Sequence, residues 1–323
     1  MRHRQQLANV KVIIIGGGGF LGSALLKHLA AAGHACVCFG HGKRYAELRE
    51  KIAGDVEYVE GDITDGAALA GVLHGADAVV HAAGTGGEAD CLSDPTRSLL
   101  THIAGTHLLL REVHRQNVPR FIFTSTIAVY GTYRERPMPL TEEMEPRPDE
   151  FYGALKTTAE REIIDAGRFR ILRLSNVYGY GSGLFSLSSG VAGKFVELIA
   201  QGKRLRVFGE GAQLIDYVHI DDLCRAYESA LSEPVGRNFI YNVGGGRPIS
   251  IRELAEASAR AAEEVTGRRP DIEFAPAPPG KLWPDRWLSI SKVGHDLEWR
   301  PRVSVEAGMR EMLAKWADGK VNI

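Results

Sequence analysis

The residues with the clearest chemical meaning are Tyr152 and Lys156, in the run Tyr152-Gly153-Ala154-Leu155-Lys156. Residues four apart lie on the same face of a helix, so the phenol and the ammonium would be neighbours. A free tyrosine has a pKa of about 10 and is a poor base near neutral pH. A nearby cation favours the phenolate, which makes Tyr152 usable as a general acid and base. The pair therefore predicts proton transfer, with Lys156 also able to hold ribose hydroxyls of a cofactor.

A cluster of hydroxyl groups, Thr124-Ser125-Thr126, ends an apolar run upstream of this pair. A hydroxyl there can bind a substrate oxygen that alternates between alcohol and ketone. We predict substrate contacts from Ser125 and Thr126. Tyr-x-x-x-Lys alone is common by chance, and the order glycine loop, hydroxyl cluster, Tyr-x-x-x-Lys is far more specific.

The glycine loop, Gly16-Gly17-Gly18-Gly19-Phe20-Leu21-Gly22, follows an apolar run and opens a helical pattern. Gly16 allows a tight turn, Gly19 lets the backbone approach a pyrophosphate, and Gly22 lets helix and strand pack closely. The free N–H groups at the helix start favour phosphate. We predict that residues 16 and 19–22 bind a dinucleotide. A P-loop is excluded because no Lys-Ser/Thr follows the last glycine.

The end of the second predicted strand carries Gly40, where dinucleotide-binding proteins often place an acid for the adenosine ribose. His41, Lys43 and Arg44 follow it. An acid would repel a 2′-phosphate, whereas the cations Lys43 and Arg44 would attract one. The sequence therefore predicts cofactor contacts from all three residues and a preference for NADP(H) over NAD(H).

Two further segments follow predicted strands and complete the cofactor prediction. Asp62-Ile63 follows the third strand, where Asp62 would face the adenine, and Ala82-Ala83-Gly84 follows the fourth. The small side chains at 82–84 would let the cofactor approach the backbone closely.

The elements that must position these residues alternate between apolar runs and helical patterns. We predict strands at 10–15, 35–39, 57–59, 78–81, 120–124, 170–174 and 239–242, and helices at 20–32, 95–116 and 151–166. This alternation is typical of an α/β protein with a doubly wound parallel sheet, which binds ligands at the carboxyl ends of its strands. An irregular loop is predicted at 179–193. We expect a dinucleotide-binding domain at 1–178 plus about 216–249, and a substrate domain at 179–215 and 250–323.

The composition indicates an ordinary globular protein. Of 323 residues, 44% are hydrophobic and 24% charged, and the net charge of −1 gives no field that recruits nucleic acid or a membrane surface. No apolar run approaches the ~20 residues that span a bilayer, and the polar start lacks a signal-peptide core. The four cysteines have no metal-ligand spacing. We expect reduced thiols, no bound metal and a cytoplasmic protein.

With these motifs in order, the chain resembles the extended short-chain dehydrogenase/reductases, specifically the NAD(P)-dependent epimerase/dehydratase family acting on nucleotide sugars. The resemblance covers about residues 10–312 and rests on segments at 16–22, 61–62, 81–83, 105–106, 121–131, 152–156, 172–179, 216–222 and 241–244. It implies a Rossmann sheet with a smaller C-terminal α/β substrate domain, and a homodimer paired through long helices. It also implies Thr126, Tyr152 and Lys156 as the catalytic triad, and Asn176 as a contact to the substrate diphosphate or sugar.

Three departures from the family pattern narrow the function. Ile127-Ala128 stands where dehydratases of the family carry Asp-Glu, so we do not expect dehydration. His102 replaces the usual Asn, and either keeps the hydrogen bond that orders a relay water or only packs. Ile215 replaces an arginine that grips the diphosphate, and Arg286 is the candidate substitute by resemblance.

We therefore predict an NAD(P)-dependent oxidoreductase or epimerase acting on a sugar hydroxyl or keto group, most simply of a nucleotide-activated sugar. Epimerase and reductase stay open at this point. One alternative is an NADPH-dependent ketoreductase with a non-nucleotide substrate, because Ile215 replaces the arginine. Another is an NADP(H)-binding redox sensor, which the presence of both Tyr152 and Lys156 disfavours.

Overall fold

A computed structural model of the chain describes residues 9–131, 136–167, 169–180, 190–278 and 283–319. The strands in these ranges are β1 (Lys11–Ile15), β2 (Ala35–Gly40), β3 (Val56–Glu60), β4 (Ala78–His81), β5 (Phe121–Thr126), β6 (Arg170–Leu174), β7 (Asn176–Tyr178), β8 (Leu205–Phe208), β9 (Leu214–Ile215), β10 (Tyr217–His219), β11 (Phe239–Val243), β12 (Ile249–Ser250) and β13 (Ile272–Ala275).

The α-helices are α1 (Phe20–Ala31), α2 (Tyr45–Lys51), α3 (Gly66–Val72), α4 (Glu88–Ser93), α5 (Pro95–Leu99), α6 (Thr106–Arg115), α7 (Phe151–Asp165), α8 (Val191–Ala200), α9 (Ile220–Ser232), α10 (Ile251–Thr266), α11 (Ser291–Asp296) and α12 (Val305–Ala317). A π-helical segment, Leu100–Gly105, joins α5 to α6. Short 3-10 turns lie at Gly42–Arg44 and Ile127–Tyr130.

Seven parallel strands form the central sheet in the order β11-β6-β5-β4-β1-β2-β3. The strand order reverses beside β1, which pairs with β2 on one side and β4 on the other. The carboxyl ends of β1 and β4 therefore flank the crevice where sheets of this kind bind ligands. The α/β prediction with a doubly wound parallel sheet is confirmed.

Both faces of the sheet are covered, which explains its continuous apolar strands. Alternate residues of β1 point to opposite faces, so Ile14 packs in the cluster with α1 and α9, while Ile13 packs in the cluster with α3, α6 and α7. A third buried cluster joins α8, α10 and α12 with β8, apart from the sheet. That cluster supports the predicted smaller domain, whose boundaries stay a prediction.

The predicted elements agree with the structure most closely in the sheet. Strands at 78–81 and 170–174 have the predicted bounds, and α1 and α7 end one residue early. The helix predicted at 95–116 forms, but with the π-helical segment inside it. Most of the loop predicted at 179–193 lies outside the described residues. Within the described part of the chain, no helix is long and apolar enough to cross a membrane.

Candidate active site

The glycine loop lies directly after the carboxyl end of β1. Gly16 has φ +85°, and its N–H donates to Phe39 O at 2.8 Å. A Cβ at Gly16 would stand 2.7 Å from the Ala83 backbone, and one at Gly22 would stand 2.2 Å from Gly16 O. Only glycine lets the loop pack this closely on both β4 and α1. No side chain caps the start of α1, so its first N–H groups remain available to phosphate.

A cavity of about 410 Å³ opens beside this loop, at the ends of β1 to β4. The predicted cofactor residues that line it are Gly16, Gly19, His41, Lys43, Arg44, Asp62, Ile63, Ala82, Ala83 and Gly84. Phe20, Leu21 and Gly22 line an adjoining cavity of about 440 Å³, which shares Gly19 and residues 82–84 with the first. The structure therefore brings the predicted dinucleotide residues together along two adjoining cavities, and their contacts to a cofactor stay predictions.

Asp62 is held by its neighbours in the crevice. Its carboxylate accepts hydrogen bonds from Thr64 N at 2.9 Å and from Arg97 Nη2 at 2.8 Å. Burial alone would raise the pKa of Asp62, but these bonds lower it to about 2. Arg97 also lies 2.7 Å from His41 Nε2. Sequence reasoning missed Arg97, because it reaches the crevice from α5, where no local motif marks it.

The end of β2 carries no acid, as predicted, but β3 supplies one nearby. Gly40 pairs in register with Glu60. A Cβ on Gly42 would lie 2.7 Å from Glu60 Oε2, so this carboxylate packs directly on the basic turn. Its negative charge offsets part of the field of Lys43 and Arg44. Sequence reasoning missed this acid because it lies on β3 and not on β2.

The second cavity contains the three predicted catalytic residues. Thr126 closes β5, while Tyr152 and Lys156 lie one turn apart on α7. Lys156 Nζ donates to Thr124 O at 2.8 Å and lies 6.0 Å from the centre of the Tyr152 ring. The strand end thus fixes the ammonium beside the phenol.

Burial is the largest influence on the pKa of both Tyr152 and Lys156. It raises the pKa of the Tyr152 phenol above its ordinary value, and the Thr126 hydroxyl acts in the opposite direction. Burial lowers the pKa of Lys156 to about 8, against smaller opposing effects of Cys91 and Glu160. A lysine cation is therefore available near neutral pH to stabilise the Tyr152 phenolate.

His102 has a defined place in this site. Its Nε2 accepts from Thr85 N at 3.1 Å, so the other ring nitrogen carries the proton in the neutral form. Its ring meets the Tyr152 ring edge-on, with centroids 5.9 Å apart. Burial and the charge of Lys156 lower the pKa of His102 to about 3, which keeps it neutral. Histidine at this position therefore both packs on Tyr152 and fixes the loop at Thr85.

Two of the predicted substrate residues line the same cavity with their polar groups already engaged. Ser125 donates its hydroxyl to the buried carboxylate of Glu160. Asn176 Nδ2 donates to Asp216 O at 2.9 Å. The Thr126 hydroxyl accepts from Ala128 N at 3.2 Å, and the contacts of all three residues to substrate stay predictions.

Arg286 also lines this cavity. Its backbone pairs with Ile215, so the arginine stands beside the position where the family arginine is missing. Burial lowers the pKa of Arg286, and the carboxylates of Glu150 and Asp149 act against that. An arginine side chain therefore lies in this cavity on a segment bridged to Ile215, and its contact to substrate stays a prediction.

Sequence reasoning missed two carboxylates in this cavity, Glu88 and Glu150. Glu88 accepts hydrogen bonds from two backbone N–H groups at the start of α7. Burial raises the pKa of Glu150, and Arg286 acts in the opposite direction. The glycine-rich run before Glu88 and the position of Glu150 two residues before Tyr152 were the only local signals.

One group among the described residues could hold a metal ion. Ligand atoms of His219, Asp221 and Glu311 lie within 4.8 Å of one another. The Lys315 ammonium pairs with Glu311 and would compete with a bound cation. We assign no metal to this group, and the metal-free site stays a prediction.

Comparisons with known proteins agree with this geometry. Residues 12–244 match the model of the NAD dependent epimerase/dehydratase family. A UDP-glucose 4-epimerase of Azospirillum brasilense is 31% identical, with 97% of this chain and 93% of the relative covered.

Two solved structures are similar over nearly the whole chain. UDP-glucose 4-epimerase from Thermotoga maritima, solved with UDP-glucose, is 26% identical with a TM-score of 0.83 and covers 96% of this chain and 99% of its own. The Brucella ovis UDP-glucose 4-epimerase, solved with NAD, is 26% identical with a TM-score of 0.83 and covers 96% and 98%. The crevice, the Thr-Tyr-Lys cluster and the match over most of the chain lead to one conclusion: this chain belongs to the NAD dependent epimerase/dehydratase family.

Proposed function

We propose that the protein is an NAD-dependent epimerase that inverts a hydroxyl-bearing carbon, C4, of a nucleotide-activated hexose. The observation that carries the proposal is a single cavity in which Thr126, Tyr152 and Lys156 face Arg286, next to the glycine-loop crevice. The similar proteins named as UDP-glucose 4-epimerases support the same chemistry.

The chain's own residues divide the chemistry in a simple way. The nicotinamide, when bound, supplies the acceptor and donor of hydride. The Tyr152 phenolate takes the proton of the sugar hydroxyl, and the Thr126 hydroxyl hydrogen-bonds the same oxygen as it becomes a ketone. Lys156 stabilises the phenolate by charge. After the keto sugar turns its other face, Tyr152 returns the proton and the inverted alcohol forms.

Two features of the cavity favour epimerisation over dehydration. Ile127 and Ala128 place apolar side chains directly after Thr126. The carboxylate of Glu88 is occupied by backbone N–H groups, and that of Glu150 interacts with the charge of Arg286. The acid pair expected of a dehydratase directly after Thr126 is therefore absent at 127 and 128.

The nucleotide end of the substrate would contact the cavity through Arg286. A guanidinium binds phosphate oxygens with geometry that an ammonium cannot match. We therefore propose nucleotide sugars rather than free sugars or small alcohols as substrates.

A panel assay tests this function. The protein with NAD would be incubated with UDP-hexoses, the corresponding free hexoses and simple ketones, with product stereochemistry and reduced-cofactor absorbance recorded together. We expect inversion of a UDP-hexose without net change in reduced cofactor. Net consumption of reduced cofactor would instead establish a reductase, and turnover of free sugars alone would contradict the role of Arg286.

The cofactor preference requires a separate proposal. The preference for NADP(H) that the basic turn predicted is not supported by the similar structures, of which the Brucella ovis protein holds NAD. Glu60 packs on the same turn and would repel a 2′-phosphate. We propose NAD(H) as the working cofactor, with Lys43 and Arg44 only reducing the discrimination against NADP(H).

Titration of the protein with each cofactor measures this preference. We expect NAD to bind more tightly than NADP. In the Glu60→Gln variant NADP should gain about three- to tenfold in affinity, because removing one like charge near an exposed site changes the free energy by about 1 kcal/mol. Tighter NADP binding by the wild type would restore the basic-turn hypothesis.

We also propose a homodimer in the cytoplasm. Leu99 at the end of α5 and Leu100 at the start of the π-helical segment are 48% and 45% exposed, and they border a shallow apolar groove with Leu108. Exposed apolar patches of this kind mark protein interfaces. Sedimentation at micromolar concentration would give twice the chain mass of 35.2 kDa for a dimer.

Four free and buried cysteines support the proposed location in the cytoplasm, because a reducing compartment keeps thiols free.

A further inference from the structure

The helix that carries Tyr152 lacks the usual cap at its start. The first turn of an α-helix leaves backbone N–H groups without partners, and the preceding side chain commonly accepts one of them. The residue before α7 is Glu150, which is extended and makes no side-chain cap bond. The Glu150 carboxylate interacts instead with the charge of Arg286.

Glu88 supplies the missing cap from another part of the chain. Its Oε2 accepts from Tyr152 N at 2.7 Å, and its Oε1 accepts from Phe151 N at 3.2 Å. A carboxylate at a helix N-terminus also interacts favourably with the helix dipole. The N–H of the catalytic tyrosine thus donates the shorter of the two bonds.

The segment that delivers Glu88 is a wall of the substrate cavity. Residues 84–88 line it, with Gly84 at φ +155° and Gly87 at φ +144°. Between these glycines, Thr85 is tied to His102. The segment is therefore tied at Thr85 to His102, whose ring packs on Tyr152, and at Glu88 to the backbone at the start of α7.

We propose that Glu88 is a positioning residue that couples the 84–88 segment to the placement of the Tyr152 phenol. This inference rests on the proposed function for its effect on turnover. Loss of the carboxylate frees the first turn of α7, so the phenol loses its fixed distance to the reacting oxygen while the glycine-loop crevice stays intact. A general acid or base must lie within hydrogen-bond reach of the atom with which it exchanges the proton. Small displacements of the phenol therefore lower the rate of turnover.

The test compares Glu88→Ala and Glu88→Gln with Asp65→Ala. Asp65 is a matched control because its carboxylate caps α3 through two N–H groups, of Ala67 and Ala68, at 2.9 and 3.1 Å. In Glu88→Ala we expect kcat to fall about three- to thirtyfold, the range that loss of one cap corresponds to. KM and NAD affinity should stay within about twofold. Glu88→Gln keeps an acceptor oxygen and should recover most of kcat, and Asp65→Ala should keep kcat while losing stability.

Amide hydrogen exchange of the cofactor-loaded protein gives a readout that needs no turnover. The N–H groups of Phe151 and Tyr152 should exchange faster in Glu88→Ala, and those of Ala67 and Ala68 in Asp65→Ala. Unchanged exchange at 151 and 152, an unchanged kcat in Glu88→Ala, or an equal loss in Asp65→Ala would overturn the proposal. If the wild type converts no nucleotide sugar, the proposed function fails, and the exchange data alone then decide whether Glu88 holds α7.

Discussion

Replacing Tyr152 with phenylalanine should lower kcat by about 10²- to 10⁴-fold, the range that a positioned general acid–base contributes. The ring of Tyr152 would keep its contact with His102, and Lys156 would keep its bond to Thr124 O, so the fold of the site should survive. The variant loses only the oxygen that moves the proton. NAD affinity should therefore stay within about threefold of wild type, which a cofactor titration beside the steady-state assay measures.

Tyr241→Phe provides the matched control. Its hydroxyl donates to Asp296 at 2.7 Å, and neither residue lines the catalytic cavity, so the same atom is removed outside the proposed chemistry. We expect turnover close to wild type in that variant. If Tyr152→Phe also kept its turnover, the assignment of Tyr152 would be wrong, and a cofactor-binding sensor would become the better description of the protein.

The second large effect concerns the buried ion pair of Glu160 and Arg173, whose side chains are 2% and 3% exposed. Arg173 donates to both carboxylate oxygens, and Ser125 and Tyr130 complete the network. Glu160→Ala would leave the arginine charge buried without its partner. Breaking such a pair costs about 3–5 kcal/mol, and denaturant unfolding should show a loss of that size.

Two comparisons separate this effect from ordinary truncation. Glu47→Ala removes an exposed ion pair to Lys51 at 2.7 Å and should cost no more than about 1 kcal/mol. Replacing Glu160 and Arg173 together by Met should destabilise less than Glu160→Ala alone, because no unpaired charge remains. A loss below about 1 kcal/mol in Glu160→Ala would show that water reaches Arg173 and that the network is not closed.

Sequence patterns predicted the sheet well because each parallel strand is buried on both faces and reads as one apolar run. The helix over 95–116 was predicted as regular, yet its π-helical segment at Leu100–Gly105 depends on how His102 and Gly105 pack. A Cβ at Gly105 would stand 2.6 Å from Ile63, a residue far away in the chain. Contacts of that kind leave no periodic signal.

The catalytic residues were predicted because their spacing is local and their order along the chain is distinctive. Arg97, Glu60 and Glu88 were not, since each acts on a residue brought near only by the fold. Glu88 lies 64 residues before the N–H group that it caps. Ile215 and Arg286 show the same limit, because only the fold places Arg286 beside Ile215, through a short bridge.

The central claim is reversible hydride transfer at one sugar carbon, and isotopic labelling tests it most directly. The protein with NAD would be given UDP-glucose carrying deuterium at C4, and the product would be analysed by NMR and mass spectrometry. We predict UDP-galactose that retains the deuterium at C4, with no net formation of reduced cofactor. Loss of the label to solvent, net change in the cofactor, or recovery of unchanged UDP-glucose would contradict it.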